Sequence, residues 1–394
     1  KFDDARKNLH MLLEKPSLEL QNQAQIYSKK IQQAENKQLD ELITFYQEKK
    51  FDIAETRVLS LLKLNPISKE FLNFYASLLL RKGDLIGAKD TYLKIEDLYG
   101  FDEYIFLNIA LVLRYLGELD AAKFYLDFIL KQNPHNFDAL YALGFNLLLE
   151  GRFKEGWRFY EARVKARTKA INLAKQRRPY WDGKPISDQT LFIFSEQGIG
   201  DILQFSRFLK AAKEKCRNLI FACPNSVRPL FQHSDFIDEI ICDGDPIPPY
   251  DLELPLLSLP HRLEIDLADL SNEPYLSPVG QSPFTISSDK PKVGLVWTGS
   301  DAFLHNHFRS LDFDRIIPLI NHMGCGFYSF QVSPDQKKAQ ECLASYPIVD
   351  LGSRFKDFND TAHALSEMDL VITSDTSVAH LSGAMGKETW VMLH

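Results

Sequence analysis

Two short stretches in the second half of the chain place polar side chains just after predicted strands. The segment SDTSVAH, residues 374–380, follows an apolar strand predicted over residues 369–373. Free backbone N–H groups and helix polarity at such a strand-to-helix turn favour an anion such as phosphate. Thr376 and Ser377 add hydroxyl groups, and Asp375 is suited to accept hydrogen bonds from sugar hydroxyls. The pattern also fits a plain helix cap followed by a packed histidine.

The second stretch, Gly198-Ile-Gly200-Asp201, lies between a strand predicted over residues 191–195 and a helix predicted over residues 202–213. Two glycines allow the backbone to approach a ligand closely. Asp201 is expected to project into a cleft, where a carboxylate can act as a general base and deprotonate an acceptor hydroxyl. The alternative role for Asp201 is a cap on the following helix.

These stretches belong to two series of alternating strands and helices, over residues 191–285 and 290–394. Such alternation predicts parallel sheets. Each series opens with a glycine-containing strand-to-helix turn, which predicts two doubly wound domains facing across a cleft. No helix follows the last strand, residues 389–393, so we expect the second domain to be truncated.

The first half carries a repeat of 34 residues. Small residues at two places per period let two helices approach closely, and glycine ends the first helix. The aligned positions are Leu42, Ala76, Ala110 and Gly144, then Ala54, Ala88, Ala122 and Gly156, and finally Gly83, Gly117 and Gly151. This pattern resembles the tetratricopeptide repeat, with about four units over residues 35–170 after N-terminal helices in residues 1–34. The first unit departs from it, with Lys49-Lys50 where the turn glycine would stand.

A stacked array of such repeats forms a solenoid with a concave groove, which predicts binding of a protein or peptide. Several polar and aromatic residues on the first helices are candidates for lining this groove, although packing between helices explains each of them equally well. They are Asn73, Tyr75, Asn108, Arg114, Tyr141 and Asn146.

Composition restricts the class of protein. With 394 residues, 45% hydrophobic and 25% charged, the chain is expected to fold into two or three domains. The net charge of −7 divides into +5 for residues 1–178 and −12 for the remainder, and this total does not favour nucleic-acid binding. The basic segment from Arg152 to Arg178 overlaps the linker expected over residues 171–190. It is either a solvated helix face that runs into this linker or a docking surface for an acidic partner or membrane.

Two further exclusions follow from the residue types. No apolar run is long enough to span a membrane. The five cysteines form no C-x-x-C pair, so we expect neither a disulfide framework nor a metal site, and reduced thiols favour a cytoplasmic location.

The second half resembles glycosyltransferases with two facing Rossmann-like domains, the GT-B fold, and in particular the heptosyltransferase-like group of glycosyltransferase family 9. The resembling segments are GIGDILQFSRFL (198–209), YDLELPLLSLP (250–260), KVGLVWTGS (292–300) and SDTSVAHLSGAMGKETWVML (374–393). Repeats ahead of such a domain are similar to a bacterial class of repeat-containing glycosyltransferase-like proteins, and more distantly to the protein O-linked N-acetylglucosamine transferases.

The resemblance implies metal-independent, inverting transfer of a hexosyl or heptosyl group from a nucleoside-diphosphate sugar to an acceptor hydroxyl, without a cofactor. It implies that Asp201 is the catalytic base. The donor-binding residues that it implies are Gly198, Gly200, Trp297, Gly299, Ser300, Arg309, Gln331, Asp375, Thr376, Ser377 and His380.

The sequence departs from the family pattern at two places. The run of residues 305–310 keeps Arg309 but contains His307 and Phe308, and Val332 follows Gln331 where relatives often have lysine. Losing a lysine that faces the diphosphate would slow transfer by about 10²-fold or more, unless Arg309 or His305 compensates. The alternative is a non-catalytic scaffold whose transferase-like domain has degenerated.

Overall fold

The computed structural model describes residues 18–166, 178–300, 306–322, 324–332 and 343–393. Residues 1–17 of the predicted N-terminal helices, residues 167–177 of the basic segment, His305, Cys342 and the side chain of His307 lie outside the described residues. The chain divides into two compact units, Lys1–Glu150 and Gly151–His394.

The described part of the first unit is helical. Its helices are α1 (Leu18–Gln47), α2 (Phe51–Leu64), α3 (Lys69–Lys82), α4 (Leu85–Tyr99), α5 (Glu103–Tyr115), α6 (Leu119–Gln132) and α7 (Phe137–Leu149). Successive helices pack as pairs, and the alanines of the 34-residue repeat are buried between them. The predicted boundary between residues 34 and 35 lies inside α1.

The turn between the two helices of a repeat has the same left-handed backbone each time. The φ angle is 85° at Gly83, 76° at Gly117 and 78° at Gly151. Glycine adopts this conformation without steric cost, which explains its 34-residue spacing. Lys49 stands in the same place in the first repeat and also has a positive φ, 59°. The backbone geometry therefore repeats even where the glycine is missing.

The second unit begins with α8 (Phe153–Tyr160) and α9 (Arg163–Ala166), and then forms two sheets. The strands of the first sheet are β1 (Ile186–Phe194), β2 (Cys216–Ala222), β3 (Glu239–Ile241) and β4 (Leu252–Pro255). They are parallel and ordered β3-β2-β1-β4. Its helices are α10 (Ile199–Phe205), α11 (Leu209–Lys213), α12 (Arg228–Phe231) and α13 (Leu259–Arg262).

The second sheet is also parallel, in the order β7-β6-β5-β8-β9. Its strands are β5 (Lys292–Val296), β6 (Gly326–Ser329), β7 (Ile348–Asp350), β8 (Leu370–Ser374) and β9 (Thr389–Met392). The described helices around it are α14 (Ile317–His322), α15 (Phe358–Ser366) and α16 (Ser377–Ala384). Buried apolar residues of β5, β6, β8 and α14 form its core.

Strand order locates the crevice of each sheet. In the first sheet the chain proceeds outward from β1 through β2 to β3, and then returns to the other side of β1 as β4. In the second sheet it proceeds from β5 through β6 to β7, and returns as β8. Ligands of open parallel sheets bind outside the carboxyl ends of the strands where the order reverses. The loops after β1 and β4, and after β5 and β8, flank these positions.

Candidate functional site

The first turns of α10 and α16 lie against each other, which joins the two polar stretches of the sequence. A Cβ atom added to Gly200 would lie 2.8 Å from Cδ2 of His380 and 3.6 Å from the Cα of Ser377. Gly200 is thus required for the close approach of the two helices. The helix predicted to begin at residue 202 begins at Ile199, because the glycine-containing turn already has helical geometry.

Asp201 is the third residue of α10, not its cap. Its Oδ2 accepts a hydrogen bond from the backbone N–H of Gly198 at 3.0 Å, which closes the first turn of the helix. Burial raises the pKa of Asp201, and the charge of Asp375 raises it further, while the Gly198 N–H and His380 act in the opposite direction. A carboxylate with a raised pKa is a stronger base than one in water, as a general base requires.

His380 and Asp375 complete a group of three titratable side chains around Asp201. The Nε2 of His380 lies 4.0 Å from Oδ1 of Asp375. Arg309 holds the backbone beside this group, because its Nη1 donates to the carbonyl oxygen of Asp375 at 2.8 Å. His380 also borders an open cavity of about 350 Å³, which Gln204 and Tyr275 help to line.

The start of α16 leaves backbone donors without a side-chain cap. Thr376 is the N-cap residue, but its side chain makes no capping hydrogen bond, and its Oγ1 lies 3.2 Å from that of Thr373 instead. The Oγ of Ser374 is buried and has no hydrogen-bond partner among the described residues. A helix start of this kind, with a buried hydroxyl lacking a partner, has the donors that bind an anion.

The loop after β5 is braced by polar contacts. The Oε1 of Gln331 accepts from the backbone N–H of Thr298 at 3.1 Å, and Asn306 Nδ2 donates to the carbonyl oxygen of Gly299 at 3.1 Å. A Cβ atom on Gly299 would lie 2.7 Å from Arg309 Nη2, which explains a glycine there. Asn306 was not a candidate from the sequence, although it lies within the run of residues 305–310 that contains Arg309.

Trp297 and Ser300 lie in different surroundings, although both belong to that loop. Trp297 is buried, and its ring centroid lies 4.9 Å from that of Phe313. Its side chain therefore belongs to the core of the second sheet and supports the loop from below. Ser300, in contrast, is exposed.

A buried ionic cluster, not found from the sequence, lies beside the turn that leads into α10. Arg163 is fully buried and donates to Glu196, and to Oε1 of Glu161 at 2.7 Å. Burial opposes the charge of Arg163, but the combined fields of Glu196 and Glu161 outweigh it and raise the pKa of the guanidinium. Since Arg163 is buried, it does not contribute to the predicted basic docking surface.

The candidate groove residues of the first unit divide into two groups. Tyr141 and Asn146 are buried, and neither amide atom of Asn146 has a hydrogen-bond partner among the described residues. The ring of Tyr141 packs 4.8 Å from that of Phe145, and Arg114 lies over the same phenylalanine. The other four, Asn73, Tyr75, Asn108 and Arg114, are partly accessible.

The described residues show neither a metal site nor a membrane-spanning helix. Among these residues, no group of three or more His, Cys, Asp or Glu is placed to hold a metal ion. Within the same ranges, none of the helices has both the length and the apolar content needed to cross a membrane. The described cysteines, Cys216, Cys223, Cys242 and Cys325, are free thiols.

Residues 107–167 match the tetratricopeptide repeat family. No curated protein is significantly similar to the chain. Solved structures that resemble it include a tetratricopeptide repeat protein from Parabacteroides merdae, with 18% identity and a TM-score of 0.31, over 35% of this chain and 55% of that one. The chain thus spans about half the length of that protein.

Two other similar structures are those of YrrB and of MamA. YrrB, described as a TPR protein with an unusual peptide-binding site, has 19% identity and a TM-score of 0.29, over 36% of this chain and 74% of that one. MamA from Desulfovibrio magneticus has 15% identity and a TM-score of 0.31, over 34% of this chain and 75% of that one. The family match over residues 107–167 shows tetratricopeptide repeats in the N-terminal helical region, and a domain with parallel sheets follows it.

Proposed function

We propose that the second unit is a metal-independent inverting glycosyltransferase of GT-B type, and that the repeats bind a protein acceptor or partner. The observation that supports this most directly is the juxtaposition of Asp201, His380 and Asp375 where α10 meets α16. A base, a sugar-binding carboxylate and free helix N–H groups then converge at the reversal points of two parallel sheets, as transfer from a nucleoside-diphosphate sugar requires.

Each side chain has a definite role in this proposal. Asp201 removes the proton of the acceptor hydroxyl as that oxygen attacks the anomeric carbon. The N–H groups at the start of α16 bind the departing diphosphate, and Asp375 holds hydroxyls of the donor sugar. Arg309 fixes the backbone of Asp375 from the loop of the second sheet. A cytoplasmic location belongs to the same proposal, because the free thiols among the described cysteines are typical of a reducing compartment.

The proposal is tested by calorimetry of the full-length chain with nucleoside diphosphates and their sugars, followed by transfer assays. We expect Asp201→Ala to abolish transfer with little change in donor affinity, and Asp375→Ala to weaken donor binding about tenfold or more, as for loss of a hydrogen bond to a charged group. If no nucleoside diphosphate or nucleotide sugar binds, the proposed transferase activity is rejected. If Asp201→Ala retains full transfer, Asp201 is rejected as the catalytic base.

A non-catalytic scaffold is the second candidate, and one observation favours it. Val332 follows Gln331 where family members often have lysine, and its side chain is 59% exposed beside the loop that would face the diphosphate. A Val332→Lys variant separates the two candidates. An active but weakened enzyme should bind diphosphate more tightly with lysine present, whereas a degenerated domain should bind no nucleotide in either form.

A further inference from the structure

The turn that precedes Gly198 has a backbone conformation that depends on outside support. Gln197 has a φ of 64°, a left-handed value that residues with a side chain rarely adopt. Such a conformation persists only where the surroundings determine it. The Nε2 of Gln197 donates to the hydroxyl of Tyr160 in α8 at 3.1 Å. The support for this residue thus comes from the helical segment at the start of the second unit.

Arg163, three residues after Tyr160, holds the residue before Gln197 and a second loop as well. Its Nη2 donates both to Oε1 of Glu196 and, at 2.9 Å, to the Oγ of Ser258. Glu196 follows β1 and Ser258 follows β4, so one guanidinium joins the two loops that flank the reversal point of the first sheet. The ring of Tyr160 lies beneath it, with the guanidinium carbon 4.9 Å from the ring centroid.

Aromatic packing fixes the same helical segment against α10. The ring centroid of Trp157 in α8 lies 5.6 Å from that of Phe205 in α10 and 5.6 Å from that of Tyr160. The two ends of the glycine turn are therefore both attached to α8, through Gln197 before it and through Phe205 after it.

We propose that Tyr160 and Arg163 are positioning residues for Asp201. They fix the backbone of residues 196–198, so that the N–H of Gly198 faces the carboxylate of Asp201 and orients it toward His380. The role of Asp201 as a base rests on the proposed function. The role of Tyr160 and Arg163 in fixing the backbone of residues 196–198 is independent of that function. Both positioning residues lie within the segment that matches the tetratricopeptide repeat family, so the end of the repeat region serves the sheet unit directly.

Amide hydrogen exchange in the full-length chain tests the support of the turn without any ligand. Tyr160→Phe removes only the hydroxyl that binds Gln197, and we expect exchange at residues 197–201 to become about five- to tenfold faster, as for loss of one hydrogen bond. Tyr92→Phe is the matched control, because it removes a buried hydroxyl 3.0 Å from Ser77 in the first unit. Unchanged exchange in Tyr160→Phe, or an equal increase at these residues in Tyr92→Phe, overturns the proposal.

A double-mutant cycle tests whether the contact itself carries the effect. Gln197→Ala removes the other partner, so its combination with Tyr160→Phe should exchange no faster than the faster single variant. Effects that multiply would show that the two residues act independently, and would overturn the proposal. Arg163→Lys keeps the charge but not the forked geometry, and should additionally speed exchange in residues 256–258.

The consequence for catalysis is measured separately. In a transfer assay, Tyr160→Phe should lower kcat about tenfold with an unchanged KM for the donor, because a displaced base slows the reaction without weakening donor binding. An equal loss of kcat in Tyr92→Phe overturns the positioning role. If the wild-type chain binds no nucleoside diphosphate, the proposed function fails, and the exchange measurements alone decide whether Tyr160 and Arg163 support the turn.

Discussion

Among single residues, Gly200 determines how closely α10 can lie against α16. A methyl group at this position would reach within 2.8 Å of the His380 ring, so the ring must move. We expect Gly200→Ala to lower the free energy of unfolding by about 1 kcal/mol, as overpacking does, and to change the imidazole chemical shifts of His380. Urea unfolding and NMR spectroscopy measure the two effects.

Gly383 provides the control for this substitution, since it lies in α16 with no atom within 4 Å of an added Cβ. Gly383→Ala should stabilise the protein by roughly 0.5–1 kcal/mol through the higher helix propensity of alanine. If both variants were equally stable, the contact between Gly200 and His380 would have no structural importance.

The raised pKa of Asp201 gives a second prediction, on the dependence of stability on pH. A carboxyl whose pKa is raised by folding favours the folded state below its unfolded pKa of about 4, and this contribution is lost as pH rises through the folded pKa. Asp201→Asn cannot ionise. We therefore expect its free energy of unfolding to rise, relative to the wild type, as pH increases from about 4 toward 7.

Urea unfolding of the wild type and of Asp201→Asn, repeated across that pH range, measures the difference between their free energies of unfolding. Asp182→Asn is the control with the opposite sign, because the backbone N–H and ammonium of Lys184 lower the pKa of the exposed Asp182. That variant should lose stability relative to the wild type as pH rises through the acidic range. A flat difference for Asp201→Asn would mean that folding leaves the ionisation of Asp201 unchanged.

These residues also show what sequence reasoning can reach. Short motifs at the ends of strands made Gly200, Asp375 and His380 candidates, and the structure brings them together where α10 meets α16, while their roles stay predictions. Arg163 was not a candidate, since its partner Ser258 is 95 residues away along the chain. Whether an arginine is a buried cation or part of a basic surface depends on such distant partners, which no local pattern contains.

Among the helices and strands, the first repeat turn lacks the glycine that its backbone favours. Lys49 has a φ of 59°, where the following repeats have Gly83, Gly117 and Gly151. A left-handed conformation costs a non-glycine residue about 1–2 kcal/mol. We expect Lys49→Gly to stabilise the first unit by about 0.5–1 kcal/mol, since glycine also loses more entropy on folding. Thermal unfolding of the full chain measures this gain.

The converse substitution, Gly117→Lys, should destabilise the same unit, because a side chain disfavours the positive φ at this position. An added Cβ meets no neighbouring atom, so the loss of stability measures the backbone strain alone. A loss of stability in Lys49→Gly would show that the lysine side chain contributes more than its backbone strain costs.

The 34-residue repeat predicted the repeat turns, and apolar runs predicted the strands of both sheets, but apolar spacing did not reveal breaks within a helical segment. The 34-residue columns marked the repeat turns because a positive φ selects glycine directly. In contrast, the helix predicted over residues 202–213 is interrupted, since α10 ends at Phe205 and a 3₁₀ turn, Ser206–Phe208, precedes α11. Apolar spacing is similar in the two kinds of helix, so it did not distinguish them.

For the chain as a whole, the division after Glu150 falls inside the fourth predicted repeat. The helices α8 and α9 match the repeat family, yet both contact loops and a helix beside the first sheet: Arg163 contacts Glu196 and Ser258, and Trp157 contacts Phe205. A unit defined by sequence similarity and a unit defined by packing therefore end at different residues.

Two fragments of the second unit test this division. Residues 151–394 retain α8 and α9, whereas residues 178–394 lack them and leave Glu196 without its guanidinium and Phe205 without its indole. We expect the shorter fragment to be less stable by about 3 kcal/mol or more, from the lost ion pair and aromatic burial together. Urea unfolding, followed by tryptophan fluorescence and circular dichroism, gives both free energies. Equal free energies of unfolding for the two fragments would show that α8 and α9 do not stabilise the sheets. The two helices would then belong with the repeats, and the division after Glu150 would be wrong.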